Sequence, residues 1–340
     1  MMRMPWFEFR SPRTVAEAAK ILAAEGPQAM LIAGGTDLVP NMKRRHQTPA
    51  TLVSLRRVPE LKKFANGSGL ALGAGLTLTE VVDSAQVRAM YPGLWQAAAQ
   101  IATPHLRNMG TLGGNLCLDT RCTYYNQNYE WRQAIDFCLK KEGETCWVAT
   151  ASKRCVAVSS TDSAPALIAL GAKVRLVSSS GERDVPLADL YRNDGIDYLS
   201  RKPDEILTEV VLPAAEGWRS TYWKLRRRGS FDFPVLGVAA AVRMKGDVVE
   251  EARIALGAVA SRPFLVDKAG AYLVGKKLSD DVIAEAVATV ASRAKPMDNT
   301  DLDLYWRKEV VGAFAGYALR QLRGDDMRAT RARIARQSLE

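Results

Sequence analysis

IAGGTDL at residues 32–38 and RNMGTLGGNL at residues 107–116 share one device: a glycine pair after an apolar stretch, with hydroxyl or amide donors beside it. Without a Cβ, paired glycines let backbone N–H groups close on an anion. Thr36, Thr111 and Asn115 flank the pairs Gly34, Gly35 and Gly113, Gly114. One such loop alone is most often a tight turn. Neither loop is a G-x-G-x-x-G or a Walker sequence, which excludes the Rossmann fingerprint and the P-loop. Two loops of this kind in one chain point to a single extended diphosphate ligand, a dinucleotide held without a Rossmann fold.

The sequence around the loops is that of an ordinary globular protein. Its 340 residues are 47% hydrophobic and 25% charged, enough for two or three domains with real cores. No apolar run reaches the ~18–20 residues of a transmembrane helix, and the start MMRMPWFEFRSPRT has no apolar signal core. The expected location is therefore the cytoplasm, with no membrane partner. The formal charge of +10 is spread out, with clusters at 43–45, 226–228 and 328–336. No basic stripe interleaved with aromatics occurs, so nucleic acid is not expected and the basic residues read as solvated faces and subunit contacts.

Residues 14–24 (TVAEAAKILAA) have helical spacing behind a Thr14 cap, and QAMLI runs as a short strand into the first glycine loop. TLVSLRRV at 51–58 and LALG at 70–73 read as strands. LWQAAAQIA at 94–102 reads as a helix that Pro104 ends. SAPALIALGAKVRLVSSSGERDVPLADL predicts helix, strand, turn and strand. The segment from Ser220 to Ala260 is strand-rich, with a hairpin turn at Lys245, Gly246 and Asp247. From Ser279 the spacing turns helical. The composition predicts an α+β N-terminal part to about residue 215 and a separate domain of sheet and helices after it.

The ordered loop pair closely resembles the FAD-binding loops of the molybdenum hydroxylase flavoproteins, the family of the xanthine dehydrogenase FAD domain and the carbon monoxide dehydrogenase medium subunit. The resemblance continues through SSTDSAPALIALGAKVRL, DEILTEVVLP and YWKLRRRGSFDFPVLGVAAAV. It implies a two-subdomain FAD-binding fold of the vanillyl-alcohol-oxidase type, followed by an antiparallel sheet with a helical bundle. The implied divisions are 1–57 and 58–215 for the two FAD subdomains, and 216–330 for the C-terminal domain. FAD would be wrapped by Leu31, Ile32, Ala33, Gly34, Gly35, Thr36 and Asp37, and by Gly110, Thr111, Gly113, Gly114 and Asn115. Asp162 matches an acidic residue that bonds ribityl or ribose hydroxyls. Ile101 and Leu207 match apolar positions beside the isoalloxazine, and Lys224 matches a lysine near the flavin. His105 stands where many relatives carry glutamine and reads as a loop hydrogen-bonder.

All five cysteines of the chain fall between residues 117 and 155. The resemblance makes residues 119–158 an insertion, because most of the family passes within a few residues from the second loop to the segment of Asp162. Cys117 belongs to the shared fold; Cys122, Cys138, Cys146 and Cys155 belong to the insertion. Four thiols in a reducing compartment point to a metal site before disulfides. Their spacings, x15, x7 and x8, lack the close knuckles of zinc sites and the C-x2-C-x2-C of ferredoxins, so spacing alone leaves zinc, iron–sulfur and plain buried thiols open.

An insertion of this kind resembles one subgroup of the family, the β subunits of 4-hydroxybenzoyl-CoA reductases, and implies a [4Fe–4S] cluster on those four cysteines. Tyr124, Tyr125, Tyr129, Trp131, Phe137 and Trp147 are expected to form a shell around it. The implied partners are a molybdenum-cofactor subunit and a [2Fe–2S] subunit in a dimer of heterotrimers, with ferredoxin as electron donor. No catalytic acid or base is expected in this chain. Two other readings stay open at the level of sequence. One is an outward-running hydroxylase flavoprotein that passes electrons to NAD or a quinone and carries zinc or structural thiols. The other is a non-enzymatic anion-binding module.

Overall fold

The structure is a computed structural model that describes residues 3–336. Strands β1 (Glu8–Arg10), β2 (Ala29–Ile32) and β3 (Thr51–Ser54) form a parallel sheet in the order β1-β3-β2. Parallel strands of one sheet need crossover connections. The helix Val15–Glu25 supplies one, and Thr14 caps it by accepting from the Glu17 N–H at 3.1 Å. Its buried side chains Ala18, Ala19 and Leu22 pack with Val53 and Ile206. The carboxyl end of β2 delivers the first glycine loop, which runs into the short helix Leu38–Lys43.

Strands β4 (Phe64–Asn66), β5 (Leu70–Gly73), β6 (Lys173–Ser178), β7 (Gly181–Pro186) and β8 (Ile206–Leu212) make an antiparallel sheet in the order β4-β5-β8-β6-β7. The helices Pro92–Ala99 and Ser163–Ala169 share its core. The second glycine loop is hung from the end of β5: the Gly113 N–H donates to the Ala74 carbonyl at 2.8 Å and the Leu112 N–H to Leu76 at 2.9 Å.

Strands β9 (Trp218–Leu225), β10 (Leu236–Lys245), β11 (Val248–Gly257) and β12 (Phe264–Leu265) form the third sheet, antiparallel in the order β12-β11-β10-β9. Its side chains alternate between two cores. Trp223, Val238, Ala240 and Val242 pack with the helices Asp280–Arg293 and Leu304–Arg323. Tyr222, Ala239 and Ala241 pack with the middle sheet's core. Burial on both faces explains why β10 reads as the unbroken run LGVAAAV and not as an alternating strand. Gly246, at φ 62°, makes the expected hairpin turn between β10 and β11.

The α+β class is as the sequence indicates. One boundary differs. The helix over Pro92–Ala99 closes at Gln100, and Pro104 opens the next short helix, Pro104–Arg107, behind a Thr103 cap. At the first helical position the missing proline N–H costs nothing. Among the described residues, no helix is long and apolar enough to cross a membrane.

Candidate functional site

The two glycine loops touch. A Cβ built on Gly34 would lie 1.9 Å from the Met109 carbonyl oxygen and 2.9 Å from the Gly110 nitrogen. A Cβ on Gly110 would come within 3.3 Å of the Thr36 hydroxyl. The backbones therefore meet at a distance only glycine permits. Gly35 is required for a different reason: it adopts φ 72°, and a Cβ there would face Ile32 and Val39 at 3.3 Å. Leu31 and Ile32 end β2, and Ala33 follows them half-buried.

The second loop is fastened from inside. Thr111 caps the helix Leu112–Leu116 by accepting from the Gly114 N–H at 3.0 Å. The Asn115 side-chain oxygen accepts from the Thr161 hydroxyl at 2.8 Å and the Ser163 N–H at 3.2 Å. This pins the loop to the segment that carries Asp162. Within that segment the buried Ser160 hydroxyl has no partner among the described residues. An unpaired buried hydroxyl two residues before Asp162 suits a ligand rich in hydroxyls, such as the sugar chain of a flavin dinucleotide.

Asp162 and Lys224 form one buried ion pair at 3.0 Å. Tyr222 donates to the other Asp162 oxygen at 2.9 Å, and Lys224 also donates to the Gln100 carbonyl at 3.1 Å. Burial pushes the Asp162 carboxyl up and the Lys224 ammonium down, and each charge opposes the other's shift. Ile101, buried next to Gln100, accepts from Arg107 through its carbonyl at 2.7 Å. Leu207 sits on β8 within the core of the middle sheet. His105 is exposed on its short helix.

Residues 119–158 fold around a second centre. Cys122, Cys138, Cys146 and Cys155, all buried and free of disulfides, line one recess with Tyr124, Tyr125, Lys140 and Trp147. Cys117 stays apart, half-buried against the core of the middle sheet. Asn128 caps the helix Tyr129–Ala134, and positive φ at Asp136, Phe137 and Glu142 folds the chain back around Cys138. Gly195 closes on Cys155: its N–H donates to the Cys155 carbonyl at 2.9 Å, and a Cβ there would meet Sγ at 2.7 Å. Burial pushes the Cys155 thiol up to about 11, with the Lys140 charge pulling the other way. Among the described residues, no three His, Cys, Asp or Glu side chains stand close enough to hold one metal ion.

The expected aromatic shell is only half closed. Tyr124, Tyr125 and Trp147 line the recess. Tyr129 and Trp131 are exposed, and Phe137 packs on Tyr129 at 5.6 Å, outside the thiols. An aromatic residue in a surface excursion cannot reach a centre that the short helix under it turns away from.

Arg121, Asp119, Lys140 and His46, none of them singled out by sequence reasoning, tie Asp37 of the first loop to Tyr125 and the recess. Asp37 does not cap its own helix. Its carboxylate pairs with Arg121 and accepts from the Asp119 N–H at 3.1 Å. Asp119 in turn accepts from Lys140 at 2.6 Å and from the Tyr125 hydroxyl at 2.8 Å. His46, just beyond the first loop's helix, stacks on Tyr125 at 4.2 Å. The flavin loop and the thiol recess are thus one hydrogen-bonded unit. No local pattern announces such contacts: Asp37 reaches Asp119 across 82 positions, and even Lys140 and Asp119 lie 21 apart.

Two family descriptions match most of the chain, between residues 5 and 322. "FAD binding domain in molybdopterin dehydrogenase" covers residues 5–215, and "CO dehydrogenase flavoprotein C-terminal domain" covers residues 220–322. The chain belongs to the FAD-binding subunits of the molybdopterin dehydrogenases. It is 32% identical to the aldehyde oxidoreductase FAD-binding subunit PaoB of Escherichia coli K12 over 304 residues, 86% of this chain and 94% of that one. It is 28% identical to the carbon monoxide dehydrogenase medium chain of Hydrogenophaga pseudoflava, over 93% of this chain and 96% of that one. A solved structure of the carbon monoxide dehydrogenase from that organism superposes with a TM-score of 0.78 at 28% identity, covering 95% and 99% of the two chains. Quinoline 2-oxidoreductase from Pseudomonas putida 86 gives 0.74 at 26% identity, covering 95% and 98%. This molybdopterin-dehydrogenase flavoprotein is therefore an FAD-binding oxidoreductase subunit.

Proposed function

We propose that the chain is the FAD and [4Fe–4S] electron-transfer subunit of a molybdenum-containing 4-hydroxybenzoyl-CoA reductase. The observation that carries this reading is the convergence of Cys122, Cys138, Cys146 and Cys155 on one buried recess tied to the flavin loop. Zinc bound by thiolates at ~2.3 Å needs its sulfurs within direct reach of one ion, and the described residues offer no such group. Cys122, Cys138, Cys146 and Cys155 would instead hold an iron–sulfur cluster, a larger centre that takes four thiolates. Bound there, the cluster would supply one-electron transfer, and FAD would couple one-electron to two-electron steps.

The chain's own residues then hold and insulate these groups. The touching glycine loops bring backbone donors to the diphosphate, Asp162 receives flavin hydroxyls, and Lys224 supplies a cation near the ring. The four thiols would hold the cluster, with Tyr124 and Tyr125 beside them in the recess. Partner subunits carrying the molybdenum cofactor and [2Fe–2S] clusters, in a dimer of heterotrimers, would complete the enzyme. In the net reaction 4-hydroxybenzoyl-CoA takes up two electrons and two protons, the phenolic C–O bond breaks, hydrogen takes its place, and water leaves with benzoyl-CoA. Two reduced ferredoxins supply the electrons. The test is product formation from 4-hydroxybenzoyl-CoA by the anaerobically purified complex with reduced ferredoxin; a cluster-loaded complex that makes no benzoyl-CoA would overturn the reading.

A second reading is an outward-running hydroxylase that passes electrons to NAD or a quinone. It is favoured by relatives such as the carbon monoxide dehydrogenase medium chain, whose name is that of an oxidising enzyme. Reduction of NAD or a quinone by the complex, with an iron-free recess, would select it.

A further inference from the structure

Lys140 is the one charged side chain lining the thiol recess among the described residues. Its side chain is 7% exposed and that of its partner Asp119 is 4% exposed. The ammonium is fixed by Asp119 at 2.6 Å, the Gly195 carbonyl at 2.8 Å and the Thr120 hydroxyl. It also lies over the rings of Tyr125 at 4.6 Å and Tyr198 at 5.4 Å. Gly195 is the same residue that closes on Cys155, so one turn holds both the cation and a ligand.

A buried ion pair is a poor way to gain stability, because the desolvation of two charges offsets their attraction. Lys140 and Asp119 therefore need an explanation beyond packing, and four thiols at the same recess provide one. Each electron added to a thiolate-held centre adds a negative charge where the dielectric is low, and a fixed cation there favours the reduced form.

We propose that Lys140 sets the reduction potential of the recess, raising it, and that Asp119 positions Lys140 and tempers its charge. The proposal rests on the cluster reading above. Lys140 is a positioning and charge-setting residue, not a ligand, so its removal should move a potential without removing iron.

The experiment is a redox titration of the full chain, purified anaerobically and followed by electron paramagnetic resonance, with iron, sulfide and flavin measured on each sample. Lys140→Gln should shift the midpoint to more negative potential by the equivalent of about tenfold in the reduced-to-oxidised ratio, ~59 mV for a one-electron couple. Asp119→Asn should shift it the opposite way, and Lys140→Arg should stay near the parent. Opposite shifts at full iron would support the proposal, because a merely structural role gives no reason for opposite signs. Unmoved potentials, or shifts of the same sign, at full iron would overturn it alone. Should Lys140→Gln lose its iron, the sign of the Asp119→Asn shift decides by itself. A parent chain without iron and sulfide would overturn the cluster reading and this proposal together.

Discussion

The Lys224 ammonium donates to the Asp162 carboxylate at 3.0 Å with both side chains buried. The family resemblance gives these residues two separate duties toward the flavin; in the fold they are one pair. Tyr222 and Gln100 complete its hydrogen bonds, so the cradle is preorganised and its charge is balanced before a ligand arrives.

Breaking that pair should cost more than flavin contact. Asp162→Ala leaves Lys224 buried without a counter-charge, a situation worth about 3–5 kcal/mol. Thermal unfolding should show a clear loss of stability together with loss of flavin. An unchanged melting temperature would refute the buried pair.

The two glycines of the first loop should differ. Gly34→Ala drives a methyl into the Met109 carbonyl and should part the loops and abolish flavin retention. Gly35→Ala keeps the loop contact but holds alanine at a positive φ, a strain of about 1–2 kcal/mol, and should retain part of the flavin. The flavin-to-protein absorbance ratio separates the cases; full occupancy in Gly34→Ala would contradict the loop contact.

Among the five cysteines, Cys138→Ser should remove iron from the recess and Cys117→Ser should leave it, because Cys117 packs against the middle sheet's core and not on the recess. Iron counts on the two variants check this. Loss of iron from Cys117→Ser with Cys138→Ser unaffected would mean a different set of ligands.

Stability should fall on acidification through His46. Burial lowers its pKa from 6.5 to about 4, so the folded state keeps the ring neutral while the unfolded chain takes up a proton below 6.5. The His46 contribution is unaffected above pH 6.5 and declines between 6.5 and about 4. Denaturant unfolding across that window should show a smaller decline in His46→Gln. Equal slopes for parent and variant would exclude His46 as a source.

Much of this was legible in the sequence. Thr14 announces its helix and Gly246 its hairpin, whereas the burial of β10 on both faces emerged only from the two cores that flank it. The glycine loops were legible as a pair, though not their contact, because Gly34 and Met109 meet across 74 intervening residues and no periodicity records it. The same limit hid His46 on Tyr125 and Lys140 on Asp119. β1 escaped because a three-residue exposed strand has no hydrophobic pattern to read. In the excursion, aromatic content suggested a closed shell, but the helix Tyr129–Ala134 leaves Tyr129 and Trp131 facing solvent.

The most direct test of the central claim is iron and acid-labile sulfide per flavin on this chain, purified without oxygen. About four of each per FAD, the content of one cubane, is the predicted result. Flavin without iron or sulfide, after anaerobic purification and attempted reconstitution, would contradict a cluster in the recess of Cys122, Cys138, Cys146 and Cys155.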